Sequence, residues 1–284
     1  MKFVWQFLAA IAVAAVGGRI VLALDDRPWL CLVVGVVTAA LAVLVYGLVV
    51  RWTERREVSE VAPGGAATKL VLSTLLGVGV FGFVISNIYF LGFYEVRGMG
   101  SVSAAAGLFG FMAAAAATEE VLYRGVLFRR LEHWTGTWVA VVVVSALFGL
   151  SHILNPNADW WGALIIALTG GLMLTSAYVM ARNLWVPIGV HFGWNFAAGG
   201  IFSTEVSGND TPPGLLESVT SGPSLVTGGG LGPEGSIYTL VGCGLVTIAF
   251  LCVAKRRGRV LAMRRSKRPA EPVAGAEPVA TLPR

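Results

Sequence analysis

The 284-residue chain is 56% hydrophobic and only 13% charged, with a mean hydropathy of +0.74 and a net charge of +5. A soluble domain carries roughly 25% charged residues, so this balance excludes an ordinary water-soluble fold. Apolar runs of about 20 residues follow one another so closely that little chain is left outside a bilayer, which points to one membrane domain.

The apolar runs fall at 3–24, 29–50, 70–91, 102–131, 137–154, 160–181, 184–202 and 236–254. Each is long enough, or nearly so, to cross ~30 Å of hydrocarbon at about 1.5 Å per residue, which predicts an all-α polytopic bundle of about eight transmembrane helices. The membrane domain is then 1–254, with a motif-bearing core at about 102–203, and 255–284 is a tail. The first run has Lys2 before it and an Ala-Val-Ala stretch within it, as a signal peptide has, but it continues to Leu24 and reads as an uncleaved helix. Arg19 inside it faces another helix or snorkels to a headgroup. The fourth run is the most unusual, because it carries Glu119, Glu120 and Arg124.

Basic residues alternate between loops. Lys2, the Arg51/Arg55/Arg56/Lys69 loop, Arg124/Arg129/Arg130, Arg182 and the tail fall on one side, against Arg27 and Arg97 on the other. By the positive-inside rule both termini are cytoplasmic, in a plasma membrane. The 203–235 loop has Glu205, Asp210, Glu217 and Glu234 but no Lys or Arg, which places it outside; its Gly, Pro, Ser and Thr content predicts irregular or mobile chain. After the last run, Lys255, Arg256, Arg257, Arg259, Arg264, Arg265, Lys267 and Arg268 crowd together, a cluster better suited to anionic lipid than to nucleic acid. From Pro269 the tail is Pro/Ala/Glu-rich and predicted disordered. Cys31, Cys243 and Cys252 lie inside apolar runs without metal or redox spacing, as small hydrophobes.

A charge at the centre of a membrane helix costs at least ~2.5–3.5 kcal/mol, so ionisable groups there are functional candidates. Three blocks show that expense: Glu119-Glu120 with Arg124, Phe148 with His152, and His191 with Asn195. Glu119 and Glu120 are adjacent, hence ~100° apart on a helix, and cannot share one direction. Arg124 is four residues after Glu120 and five after Glu119, so Glu120 takes the ion pair and Glu119 is left free as a candidate general base. The other blocks repeat the four-residue spacing, each putting a polar stripe on one helix face. A Glu, two His and an Asn that converge could polarise a water and hold a developing oxyanion, the equipment of amide hydrolysis. Alternatively Glu119, His152 and His191 are three zinc ligands with an open position for water.

The blocks EExxxR, FxxxH and HxxxN resemble, in order and spacing, those of the CPBP family, the membrane CAAX prenyl endopeptidases and bacteriocin-processing or immunity proteins. The similarity runs from Thr118 to Asn195 without a departure inside the blocks. It implies an all-α membrane fold and cleavage of a peptide bond in a membrane-associated peptide or protein. Carried over, Glu119 with His152 would activate water, His191 and Asn195 would form the oxyanion site, and Glu120 and Arg124 fill the remaining motif positions. The family's label of metalloprotease and a metal-free glutamate mechanism both stay open at this point. So do two other classes: a non-catalytic immunity or scaffold protein, and a proton-coupled transporter, although the inverted repeats of the latter are not evident.

Other residues read as structural. Phe148 is core packing and His133, beside Trp134, interfacial; Trp160, Trp161, Trp185 and Trp194 suit an aromatic belt, and Asp159 a wet loop. One conflict remains. If Arg124–Arg130 is cytoplasmic, His152 lies ~22 Å up its helix while Glu119 stays near the inner end, so 118–136 is expected to dip into the membrane as a broken or tilted element.

Overall fold

Long apolar helices dominate residues 2–263, the part of the chain that the computed structural model describes. They are α1 (Lys2–Leu22), α2 (Pro28–Glu54), α3 (Ala66–Phe90), α4 (Val102–Thr135), α5 (Thr137–Leu154), α6 (Trp160–Ala181), α7 (Trp185–Asn195) and α8 (Ile237–Arg256). Residues such as Leu8, Val33, Leu44, Leu72, Val142 and Leu245 are exposed on the outer faces. In water so much apolar surface would drive aggregation, whereas lipid tails cover it at no cost. The chain is a multi-pass membrane protein.

Among the described residues seven helical stretches are long and apolar enough to cross a membrane. The remaining expected span, 184–202, is α7: only 11 residues, continued by a π-helical turn at Phe196–Ile201. It lies in the middle of the bundle, with Ile188, Val190, His191, Trp194 and Asn195 all buried. Glycine makes that position possible: a Cβ at Gly193 would stand 2.2 Å from the Thr74 carbonyl oxygen of α3. A helix that buries most of its surface against protein need not span the hydrocarbon by its own length.

The structure resolves the conflict of depth without a broken element. α4 is one continuous helix whose central part, Val121–Phe128, is π-helical, and Arg124 on it is fully buried and belongs to no loop. The turn to α5 is at Gly136, whose φ of +81° suits glycine. From that turn Glu119 is roughly 24 Å up one arm and His152 roughly 22 Å up the other, so both reach the same level.

Both ends of the described chain sit at one end of the bundle. At the start of α1, Gln6 donates to Thr53 and Glu54 at the end of α2. After α8 the chain folds back: Thr137 and Leu261 exchange hydrogen bonds, and Arg182 donates to the Arg259 carbonyl while its guanidinium forks onto Glu132. Arg264, Arg265, Lys267 and Arg268 and the expected disorder from Pro269 lie outside the described residues.

At the opposite end, the 203–235 segment differs from its expected irregularity. Strand β2 (Leu216–Thr220) pairs antiparallel with β1 (Tyr94–Met99), and Gly229–Gly235 forms 3-10 turns. Its glycines serve close packing rather than mobility. At Gly228, with φ +85°, a Cβ would overlap the Gly232 carbonyl.

Candidate active site

Glu120 and Arg124 occupy successive turns on one face of α4, and both are completely buried. Their contact is 2.6 Å, from guanidinium Nη1 to Oε1, as their spacing predicts. A buried guanidinium needs more partners than one carboxylate. Arg124 therefore donates from Nε to the Thr175 hydroxyl and from Nη2 to the Gly171 carbonyl on α6, and its plane lies 4.5 Å from the Phe148 ring centroid. Phe148, expected to be packing alone, thus supports the cation.

His191 comes from α7 to the same carboxylate. Its Nδ1 is 2.9 Å from Glu120 Oε1. That oxygen already accepts from Arg124, so we assign the proton to Nδ1, which donates. Nε2 then faces Glu119, 4.0 Å from Oε2. This is beyond hydrogen-bond reach, and Oε2 is buried without a partner among the described residues, although the Glu119 side chain is 32% exposed overall. Glu119, Glu120, Arg124 and His191 are therefore together.

His152 and Asn195 stand at the margin. His152 closes α5, where its Nδ1 is 2.7 Å from the Phe148 carbonyl; an acceptor there makes Nδ1 the donor and leaves Nε2 free. Among the described residues no hydrogen bond or ion pair joins His152 to Glu119. Asn195 is buried one turn beyond His191, and among the described residues its amide forms no hydrogen bond. Both Asn195 and His191 border a cavity of about 30 Å³, enough for a water, together with Phe148, Thr169, Trp194 and Glu234.

The three zinc ligands expected at Glu119, His152 and His191 do not converge. Among the described residues no three His, Cys, Asp or Glu side chains gather closely enough to hold a metal ion. The Phe148 ring packs against both histidines, with centroids 4.8 Å from His152 and 5.8 Å from His191. The residues present do not fit a three-ligand zinc site.

Three π-helical stretches adjoin these residues: Val121–Phe128 directly after Glu120, Ala167–Gly171 beneath Arg124, and Phe196–Ile201 directly after Asn195. Such stretches are rare and favour functional sites. Nothing in the apolar periodicity announces them.

The sequence also hides Glu234, expected in a watery outer loop. It is buried, accepting from the indole Nε1 of Trp194 at 2.6 Å and from the backbone and hydroxyl of Ser207. Trp194 accordingly leaves the expected aromatic belt for the core, whereas Trp160 and Trp161 stay exposed. The only sequence signal is the position of Glu234 just before the last apolar run. Glu234→Ala strands the buried Trp194 indole and two partly buried donors of Ser207, and should destabilise the protein by roughly 1–3 kcal/mol. A detergent thermal melt should show a lowered midpoint, with Glu234→Gln closer to wild type; equal midpoints for wild type and Glu234→Ala would exclude this anchoring role.

Residues 101–197, which hold this whole arrangement except Glu234 and Ser207, match the model of the family described as Rce1-like, type II CAAX prenyl endopeptidase Rce1-like. This match is consistent with the CPBP family. The CPBP segment contains all three motif blocks and leaves 1–100 and 198–284 outside the match. No curated protein and no solved structure matches the chain. The CPBP match supports an intramembrane endopeptidase in general terms, and a peptide or protein as its substrate.

Proposed function

We propose that the protein hydrolyses a peptide bond in a membrane-associated peptide or protein, with Glu119 as general base. The observation carrying this reading is the unpartnered, partly accessible Glu119 carboxylate beside a buried Glu120–Arg124–His191 lattice. Glu120 accepts from both the imidazole and the Arg124 guanidinium, which fixes His191 with its Nε2 toward Glu119. With His191 as an imidazolium the four charges sum to zero, which a low-dielectric site favours.

In this scheme Glu119 and His152 hold a water, and the water oxygen attacks the scissile carbonyl as its proton passes to Glu119. The oxyanion accepts from His191 Nε2 and the Asn195 amide. Collapse breaks the C–N bond, and Glu119 returns the proton to the departing nitrogen. His152 and Glu119 must close on the substrate, since catalytic hydrogen bonds tighten only in the complex. Membrane peptides from cells making wild-type or Glu119→Gln protein test this directly. A membrane polypeptide should accumulate uncut with the variant, and identical peptide sets would refute the reading.

We further infer that both ends face the cytoplasm of a plasma membrane, because the described ends share one end of the bundle with Arg55, Arg56, Arg182 and Arg259. Ser221, exposed at the opposite end, should as Ser221→Cys be labelled by an impermeant maleimide added outside intact cells. Labelling only after cell lysis would reverse the orientation.

A further inference from the structure

Away from the candidate active site, the end of the bundle that holds both described termini contains a polar cup of about 320 Å³. Its wall is formed by Lys2, Phe3, Arg130 and His133, and its floor by Gln6, Glu54 and Arg129. The floor is internally satisfied. Glu54 accepts a bidentate fork from Arg129 at 2.6 and 2.7 Å, a bond from Arg56 at 2.6 Å and one from Gln6 at 2.9 Å. Arg129 also donates to the Gly125 carbonyl and to Gln6. One carboxylate is thus consumed by two guanidiniums, and the floor adds no free negative charge.

The wall is different. Lys2, Arg130 and His133 are exposed, and among the described residues none has a hydrogen-bond or ion-pair partner. Arg130 is steadied only by the Trp134 ring, 4.7 Å away. Three donors therefore converge on an open cup without an anion. Tryptophans next in the chain to its lining residues show where the cup sits: Trp134, after His133, is exposed, as are Trp5, before Gln6, and Trp52, which pack edge to face at 6.3 Å. Exposed indoles mark the headgroup level of a bilayer.

We propose that this cup binds the phosphate of an anionic phospholipid, with Lys2, Arg130 and His133 on the phosphate and the Trp5–Trp52 pair and Phe3 against the start of the acyl chains. Cationic pockets at the ends of membrane helices recognise such headgroups through this combination of charge and depth. Lys255, Arg256, Arg257 and Arg259 are not among the residues that line it.

Full-length protein in detergent should be titrated with short-chain phosphatidylglycerol, with short-chain phosphatidylcholine and with inorganic phosphate, followed by indole fluorescence and by native mass spectrometry. Wild type should bind phosphatidylglycerol at least about tenfold more tightly than phosphatidylcholine. The variant Lys2→Gln/Arg130→Gln/His133→Gln should lose that preference, and Arg256→Gln/Arg257→Gln should keep it. All three positions are exposed, so unchanged helical circular dichroism is expected, and Arg130→Gln alone, weakening binding severalfold, serves if the triple variant fails to fold. The proposal is overturned if the triple or Arg130→Gln variant binds like wild type, or if the tail variant loses the preference. Inorganic phosphate saturating the site as tightly as the lipid would overturn the assignment to a lipid.

Discussion

Glu120→Ala is expected to remove most folded protein from the membrane, whereas Glu119→Ala should leave the bundle intact and abolish peptide-bond cleavage. The two carboxylates are neighbours in the chain and differ entirely in what they hold. Glu120 is fully buried and accepts from both Arg124 and His191, so its loss leaves a fully buried guanidinium without its counter-charge. Breaking a buried pair in this way costs roughly 3–5 kcal/mol, a large part of a domain's net stability of about 5–15 kcal/mol. Among the described residues Glu119 Oε2 has no partner to strand. Monodisperse yield after mild detergent extraction and the thermal midpoint read the first effect, and cleavage of the substrate identified in cells reads the second. Equal loss of folded protein in both variants would show that the division of labour is wrong.

Asn195→Ala should lower kcat by roughly 10²–10³ while changing KM little, the signature of a lost oxyanion donor. Because the Asn195 amide makes no hydrogen bond among the described residues, the alternative that it cross-links helices has no contact to support it, and stability should stay within about 1 kcal/mol of wild type. A variant that loses stability instead of turnover would return Asn195 to a structural role. The same assay addresses metal. As the candidate ligands stand apart around Phe148, dialysis against a strong chelator should leave activity in place. Loss on chelation, with restoration by zinc alone, would mean that the ligands assemble in a state different from this one.

Much of the candidate site is set by neighbours one helical turn apart. The four-residue spacing of Glu120 and Arg124 is read as a pair and found as one, because contacts within a turn depend only on helix geometry. Depth is misread for a related reason. Arg124 counts as a loop cation when charges are tallied along the chain, and its burial depends on Gly171, Thr175 and Phe148, which arrive from other helices.

The sequence alone determines the class of molecule, since so few charges and such long apolar runs admit only a membrane helix bundle, and its three motif blocks resemble those of the CPBP proteins. Tertiary structure alone decides which blocks meet. Among the described residues His191 reaches the glutamates and His152 does not; Phe148 packs against both rings; and Glu234 leaves the outer loop for the core. The physical reason is that these contacts join different helices: spacing fixes which side chains share a face of one helix, whereas the depth and rotation of that helix against its neighbours come from packing.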